Sequence, residues 1–253
     1  MNTLRAELHV HTLLSPCAEV EMIPPLIVQE ALERGIGLIA ITDHNASANV
    51  IAVQKAAVDT SLVVLPGMEL QTQEEVHLLC LFDSLEQLAA WQEFVDGRLP
   101  QQENNPEFFG EQFVVDETGD FIRREHRLLL TSAAISLEAA CREVNDLGGL
   151  AIPAHVDRQA FGLIANLGFI PPGLPVEALE ISRRQTPQQA RQAFPQVQGF
   201  PLIRSGDVHR LEEFLGANCF TIASPSIAEI RLALRTAAGR SLAIDGDEPV
   251  SGS

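Results

Sequence analysis

The segment ELHVHT places His9 and His11 one residue apart, directly behind an apolar run. Alternate residues of a β-strand point to the same face, so both imidazoles can meet one small target. A metal ion is such a target, because neutral imidazole is a common metal ligand. Two surface histidines near the N-terminus are the alternative interpretation, and this segment alone does not decide between the two. Other candidate ligands elsewhere in the chain are needed to distinguish a metal site from two surface histidines.

Residue types that bind metals also follow several other apolar segments. Of the seven histidines, only His126, in RREHR, lies outside this pattern. Imidazole combined with carboxylate suits divalent zinc, manganese or iron. One ion takes about four to six donors, so these donors predict two to three ions, with Glu69 as a carboxylate bridge. The predicted metal ligands are His9, His11, His44, Glu69, His77, His155, Asp207 and His209.

The elements that must position these ligands alternate between apolar strands and helical patterns. Uniformly apolar segments predict buried strands at 4–10, 37–42, 62–66, 75–82, 149–154, 176–181, 201–205 and 218–223. Proline at a helix start and glycine at its end predict a helix between Pro24 and Gly35, and apolar periodicity predicts others at 84–96, 136–147, 186–194 and 226–238. Seven to eight such βα units suit a barrel as well as an open sheet. A barrel is favoured, because its strand ends and their polar residues converge on one mouth.

One polar stretch interrupts this rhythm. Residues 98–127 lack the alternation, and FVVDETGDFIRR within them predicts a hairpin that turns near residues 117–119. We interpret the stretch as an insertion in a single domain that spans residues 1–245. The polar residues 246–253 are predicted to form a flexible tail.

Composition excludes several classes of protein. A hydrophobic content of 46% argues against disorder, and the chain has no apolar run of about 18 residues, the length that a membrane span needs. The N-terminus has no signal-peptide pattern, so a cytoplasmic location is predicted. The formal charge of −17 repels phosphate backbones, so long nucleic acid is not an expected partner. The four cysteines form no CxxC pair, which argues against a disulfide framework.

Taken in order, six segments resemble the motifs of the polymerase and histidinol phosphatase (PHP) superfamily of metal-dependent phosphoesterases. The segments are ELHVHT, ITDHN, GMEL, EEVHLL, PAHVDR and SGDVH, and they span residues 7 to about 210. The resemblance implies a distorted, TIM-like (β/α)7 barrel whose mouth holds a cluster of up to three metals.

The resemblance also implies how the ligands are shared, and it makes Asp43, in TDHN, a residue that orients its neighbours. By position, the first ion would be held by His9, His11, Glu69 and Asp207, the second by Glu69, His77 and His155, and the third mainly by His44 and His209. The predicted catalytic group is His9, His11, Glu69, Asp207 and His209.

The chain departs from the family pattern in one place. Many members have an aspartate soon after HxH that completes the shell of the third metal, whereas this chain has LLSPCAEVEMIP. Cys17, Glu19 or Glu21 could replace the aspartate, and a thiolate ligand would favour zinc or iron. A loop cysteine and two solvated glutamates are the alternative.

Three arginines are candidates for binding a substrate phosphate in bidentate fashion. Arg158 lies three residues after His155, while Arg183 and Arg184 follow the predicted strand VEALEI. Arg158 is the strongest candidate, because the local chain fixes its distance from a metal ligand. Arg184 is the second arginine that we assign to the substrate.

These features predict a hydrolase that acts on phosphoric esters. The expected reaction is attack by a metal-activated hydroxide on a small phosphomonoester or nucleotide-type phosphodiester. An amidohydrolase-type C–N hydrolase is one alternative, although Lys55, the single lysine, lies in a helical segment far from the metal-bridging position that such enzymes use. A non-catalytic or regulatory metal-binding domain is the other. The sequence leaves the substrate, the metal and the oligomeric state open.

Overall fold

The structure, a computed structural model, describes residues 1–245 as an α/β fold whose main sheet curls into half of a barrel. The predicted tail at 246–253 lies outside the described residues. The strands are β1 (Asn2–Val10), β2 (Leu38–Ile41), β3 (Val63–Gln71), β4 (His77–Leu81), β5 (Phe113–Val115), β6 (Phe121–Arg124), β7 (Leu150–Pro153), β8 (Leu179–Ser182), β9 (Leu202–Ser205), β10 (Asn218–Ile222) and β11 (Ser241–Ile244).

Five of the helices lie within the segments where the sequence predicts them. The helices are α1 (Pro24–Glu33), α2 (Val50–Ala56), α3 (Leu85–Asp96), α4 (Pro106–Phe109), α5 (Leu137–Asp146), α6 (Leu163–Leu167), α7 (Pro187–Ala193) and α8 (Ile227–Leu234). Capping boxes at Ser84 and Thr186 start α3 and α7. Helix α8 ends four residues before the predicted end, because Thr236 and Ala238 adopt left-handed φ angles. No helix within residues 1–245 is both long and apolar enough to cross a membrane.

The main sheet has the strand order β11-β10-β1-β2-β3-β4-β7. Strands β1, β2 and β3 are parallel, whereas β4 runs antiparallel to both β3 and β7. The start of β4 therefore lies at the same edge as the ends of its neighbours, and His77 pairs with Gln71 there. This reversal brings a histidine at the beginning of a strand to the mouth of the barrel.

A separate parallel pair, β8 and β9, forms the remaining wall. At the mouth, a bridge between Val10 and Val208 connects this wall to β1. Lower down, β10 occupies the edge of β1, so within residues 1–245 no continuous ladder closes the barrel. The buried side chain of Asn218 connects the two sheets instead, because it accepts from the backbone N–H of Arg204 and donates to its carbonyl at 2.9 Å each. The predicted distorted α/β barrel is confirmed.

Strand β3 is longer than predicted, and Glu69 lies within it rather than after it. The strand changes partner at Gly67, pairing with β2 before it and with β4 from it onward. A Cβ atom at Gly67 would lie 2.9 Å from the carbonyl oxygen of Ile41, so only glycine allows this close approach. The strand predicted at residues 62–66 therefore ends where β3 stops pairing with β2 and begins to pair with β4.

The polar stretch contains α4 and the β5–β6 hairpin, which confirms the predicted turn. Asn49 anchors the hairpin to the mouth, because its amide donates to Thr12 and to the carbonyl of Phe113 and accepts from the N–H of Val115. The single-domain boundaries remain a prediction.

Candidate metal centre

The predicted ligands meet at the mouth around the buried carboxylate of Glu69. Nε2 of His9 lies 3.2 Å from Glu69 Oε1 and 3.2 Å from Asp207 Oδ1. Nε2 of His11 lies 3.4 Å from Glu69 Oε2 and 3.4 Å from Asp207 Oδ1. Donor atoms of these four residues lie within 4.8 Å of one another, the spacing that one ion requires.

Three of the other four predicted ligands contact the same carboxylate, and the fourth, His209, lies against Asp207. His77 Nδ1 and His155 Nε2 lie 2.9 and 3.3 Å from Glu69 Oε1, and His44 Nδ1 lies 2.9 Å from Oε2. Two further groups have donor atoms within 4.8 Å of one another, and they are His44, Glu69, His77 and His11, His44, His209. The structure therefore brings all eight residues together, with His44 nearer to Glu69 and His77 than the family pattern implied.

Strained loops present two of the ligands. His155 and Asp207 have φ angles of 29° and 52°, which bulky or charged L-residues rarely adopt. Such strain persists only where surrounding contacts enforce it, and it concentrates at functional sites. Glu69, in contrast, is held by regular pairing, since its N–H donates to the carbonyl of Asp43 and its carbonyl accepts from the N–H of Asn45.

Glu180 supports the site and was missed by the sequence analysis. Its Oε1 accepts from Nδ1 of His9 and from the backbone N–H of His155, both at 3.0 Å. A buried carboxylate of this kind fixes the tautomer and orientation of a metal-binding histidine. The available signal was Glu180 itself, the second of two glutamates in the predicted strand VEALEI, because a charge inside an apolar strand costs free energy unless it has partners.

Asp43 orients His11 through an intermediate serine. Its carboxylate accepts hydrogen bonds from the hydroxyls of Thr12 and Ser15 at 2.8 and 2.7 Å. Because the Ser15 hydroxyl donates to Asp43, its oxygen is free to accept from Nδ1 of His11, 2.9 Å away. Burial raises the pKa of Asp43 to about 6, although these donors oppose the rise.

These hydrogen bonds provide a test of whether the residues fit a metal. When neutral, His9 donates through Nδ1 to Glu180 and His11 donates through Nδ1 to Ser15, so each Nε2 carries a lone pair. The two Nε2 atoms face each other at 3.1 Å, an arrangement that either a proton or a metal cation between them would stabilise. Buried atoms without hydrogen-bond partners include His77 Nε2 and His155 Nδ1, while Glu69 Oε2 and Asp207 Oδ1 face imidazole nitrogens at 2.9 and 3.2 Å without forming a hydrogen bond. The donor set fits a multi-metal site.

The electrostatics of the cluster agree with this fit. Burial opposes ionisation of Glu69, but the imidazoles of His77, His9 and His44 outweigh it and hold its pKa well below the usual range. Burial lowers the pKa of His77 to about 4, so that this imidazole offers a lone pair at neutral pH. Burial also opposes protonation of His9, yet Glu180 and Glu69 raise its pKa well above the usual value. The site therefore attracts a cation.

The three candidates for the missing aspartate differ in position. The thiol of Cys17 lies against His44 and His209, which outweigh partial burial and lower its pKa to about 6. Glu19 forms an ion pair with Arg210 at 2.8 Å, and Glu21 is exposed. The groups of mutually close donors found within residues 1–245 contain none of the three.

An arginine-lined pocket of about 340 Å³ opens beside the cluster. Arg158 reaches across it to contact Asp207, and Arg183 pairs with Glu213 at 2.7 Å. Arg184 is exposed at the rim. Arg210 also lines the pocket and was not predicted from the sequence. The remaining lining residues include Cys17, Ser182, Asp207 and His209.

The fold and the site together define an α/β barrel with a candidate multi-metal centre at its mouth. The sequence agrees, because the family model of the PHP domain matches residues 7–148, more than half of the chain. The chain belongs to the PHP family. No curated protein sequence matches it significantly.

Solved structures show the same fold in distant relatives. A lesion-specific endonuclease from Pyrococcus furiosus is 18% identical with a TM-score of 0.70, and the match covers 95% of this chain and 58% of that chain. A Chromobacterium violaceum amidohydrolase with bound sulfate is 19% identical with a TM-score of 0.57, and the match covers 84% and 90%. A Bifidobacterium adolescentis protein assigned as a metal-dependent phosphoesterase is 17% identical with a TM-score of 0.55, and the match covers 81% and 87%. This chain thus spans little more than half the length of the endonuclease.

Proposed function

We propose that this chain is a metal-dependent phosphoesterase that hydrolyses a small phosphate ester, either a monoester or a nucleotide-type diester. The observation that carries the proposal is a cluster of eight candidate metal ligands, six buried and two half-buried, beside a pocket lined by arginines. Two to three divalent zinc, manganese or iron ions would lower the pKa of water and neutralise charge on phosphate oxygens. The charge of −17 favours a small phosphorylated substrate over long nucleic acid.

The proposed roles of the residues, which are metal binding and phosphate binding, follow from their positions. The carboxylates of Glu69 and Asp207 would hold the ions together with the imidazoles of the cluster. The proposed catalytic group consists of these two carboxylates and the imidazoles of His9, His11 and His209. Arg158 and Arg184 would bind the phosphate, because guanidinium groups form paired hydrogen bonds with phosphate oxygens. Arg158 already contacts a carboxylate of the cluster, so a small rotation of its side chain would reach a substrate held there.

Cys17 is the proposed additional donor to the third ion. Its thiol lies against the two imidazoles of His44 and His209, whereas Glu19 is engaged by Arg210. A thiolate in this position would favour zinc or iron over manganese.

The two alternatives make different use of the site. An amidohydrolase with a modified bridging lysine is disfavoured, since Lys55 lies 3.5 Å from Glu117 in the hairpin and Glu69 takes the central position. A non-catalytic metal-binding domain would retain the ions without turnover.

A turnover screen on metal-reconstituted protein tests the proposal. Chromogenic phosphomonoesters and phosphodiesters would be assayed with and without added manganese, with chelator-treated protein as the control. We expect at least two equivalents of metal per chain and metal-dependent hydrolysis of at least one ester class. Glu69→Ala should abolish both. Less than one equivalent after reconstitution would contradict the metal site, and a fully loaded protein that hydrolyses no ester would support the binding domain.

A further inference from the structure

The loop at residues 155–162, between β7 and α6, presents three different side chains to the metal centre. His155 is a candidate ligand, Arg158 contacts Asp207, and Phe161 stacks on His77. Asp207 and His77 belong to different groups of mutually close donors. The loop therefore places a cation at one part of the cluster and an aromatic ring at another.

The placement of Phe161 is specific. Its ring lies parallel to the imidazole of His77, with an interplanar angle of 6° and 4.5 Å between centroids. Its carbonyl also accepts from the backbone N–H of His77 at 3.0 Å. The φ angle of Phe161 is 58°, an unfavourable conformation for a bulky side chain. Despite these constraints the residue remains 37% exposed, so part of the ring faces solvent beside the cluster.

Contacts on both sides hold this loop in place. At one end, the carboxylate of Asp157 accepts from the N–H of Ser182 at 2.8 Å and from its hydroxyl at 2.6 Å. At the other end, the loop turns so tightly that a Cβ atom at Gly162 would lie 2.2 Å from the carbonyl oxygen of Arg158. The backbone positions from which Arg158 and Phe161 extend are therefore fixed relative to each other.

We propose that Phe161 binds the organic group of the ester and selects substrates in which that group is a planar aromatic or heteroaromatic ring. This inference rests on the proposed phosphoesterase function, because it assumes that the phosphate is held between the metals and Arg158. An apolar flat surface beside a strongly polar cluster gains free energy by stacking with a ring of the substrate and gains little from a short alkyl group. Core packing does not account for the strained conformation of Phe161, because the residue is partly exposed rather than buried in the core.

Equilibrium binding of two phosphonates tests this selectivity. Phenylphosphonate and methylphosphonate are not hydrolysed, so the ratio of their affinities does not depend on leaving-group reactivity. On manganese-loaded protein, calorimetry should show phenylphosphonate binding about 5- to 20-fold more tightly, as expected for one aromatic stacking contact. Phe161→Ala should reduce the ratio to near one, and Phe161→Leu should give an intermediate ratio.

Phe169→Ala is the matched control, because Phe169 follows α6 as Phe161 precedes it and is 54% exposed. This variant should keep the wild-type ratio. If Phe161 only holds His77 in place, Phe161→Ala would lower the metal content and weaken both phosphonates equally. Such equal weakening would overturn the inference. It would also be overturned if the wild-type protein bound the two phosphonates with nearly equal affinity, or if it bound neither of them. Failure of the proposed function would appear separately, as absent turnover of every ester by loaded protein.

Discussion

At the scale of single residues, Glu69 is the centre of the site. Its two oxygens lie within 3.4 Å of donor atoms on His9, His11, His44 and other histidines of the cluster, and the residue is fully buried. A buried carboxylate without counter-charge would cost several kcal/mol. The surrounding imidazoles and the ions they would hold provide that counter-charge, so the metal site and the stability of this region depend on one another.

Glu180→Gln should weaken metal binding about 10- to 100-fold, the usual effect of losing a carboxylate that orients a metal-binding histidine. Oε1 accepts from both donors, His9 Nδ1 and the N–H of His155, so the amide oxygen can keep these bonds, but the variant loses the negative charge and places an NH2 group where Oε2 lies 3.2 Å from His9 Nδ1. Competition with a chromogenic chelator measures the affinity. Glu212→Gln, an exposed glutamate in the 3-10 helix Leu211–Glu213, is the control and should bind metal as the wild type does. Equal affinities in the two variants would show that Glu180 does not act on His9.

Arg158→Ala should lower kcat/KM about 10- to 1000-fold, which corresponds to the loss of one charge-assisted contact in the transition state. Metal content and thermal stability should stay near wild type, because the side chain is partly exposed at the pocket. Steady-state kinetics on fully loaded protein make the measurement. Arg158→Lys should restore part of the activity as a point charge. Lower stability with unchanged kcat/KM would instead show that Arg158 has a packing role. Arg183 and Arg184 would then be the remaining candidates for binding the phosphate.

At the scale of elements, the loops after β9 are fixed by a carboxylate from β1. Glu7 is fully buried and accepts from the backbone N–H groups of Gly206, Leu215 and Gly216 at 3.0–3.1 Å. Gly206 immediately precedes Asp207, so this contact helps to set the position of a candidate metal ligand. The sequence analysis did not select Glu7, although an acidic residue inside a buried strand was the same signal that Glu180 gave.

Stability should depend on pH through Glu7. Burial raises its pKa from 4.5 to about 7 despite the three N–H donors. The folded state therefore binds a proton that the unfolded state releases between these values, and stability falls as pH rises through this window. The Glu7→Gln variant has no ionisable group at this position. The difference in free energy of unfolding by which it is less stable than wild type should therefore shrink by about 2–3 kcal/mol from pH 5 to pH 8. Denaturant unfolding in chelator measures it, and a deficit independent of pH would show that the pKa is not raised.

Asn218→Ala should destabilise the fold by about 1–3 kcal/mol, because it removes the side-chain connection between β10 and β9 and leaves the N–H and carbonyl of Arg204 without those partners. Denaturant unfolding provides the measurement. Thr221→Ala, on the same strand with a solvent-exposed hydroxyl contact, should change stability by less than about 0.5 kcal/mol. If both variants were equally stable, the barrel wall would not depend on Asn218.

At the scale of the whole molecule, strong negative charge surrounds a centre that requires cations. The chain carries 34 acidic and 17 basic residues, and several arginines line the pocket beside the metal cluster. This distribution repels polyanions over most of the surface while leaving one place where an anion can bind. The proposed preference for a small substrate would then follow from charge placement as well as from pocket size.

Metal loading should raise the thermal stability of the whole fold. An ion that binds only the folded state adds about 2.7 kcal/mol at a concentration 100-fold above Kd, which corresponds to about 5–10 °C in Tm for a chain of this size. Differential scanning calorimetry with zinc or manganese measures the shift. Magnesium is the control, because it prefers oxygen ligands to imidazole and should give a smaller shift. Equal shifts with all three ions would indicate binding to surface carboxylates rather than to the cluster.

The sequence by itself determined the ligand types and most of the elements. Alternation along β1 puts His9 and His11 on one face, and local capping at Ser84 and Thr186 fixes helix starts. These are short-range effects of backbone geometry and nearby hydrogen bonds, so they can be predicted without the fold. The prediction of a barrel succeeded because polar residues at many strand ends require a common mouth.

Only the tertiary structure decided which distant residues complete the site. Strand β4 reverses direction, Glu180 approaches His9, and Cys17 lines the pocket together with His209, whereas Glu19 pairs with Arg210. The reversal of β4 is local, but the contacts of Glu180 and Cys17 join residues far apart in the chain, and their free energies depend on how the sheet curls and which loops are strained. Local sequence patterns contain the residue types that such contacts need, but the pairing is set by packing across the whole barrel.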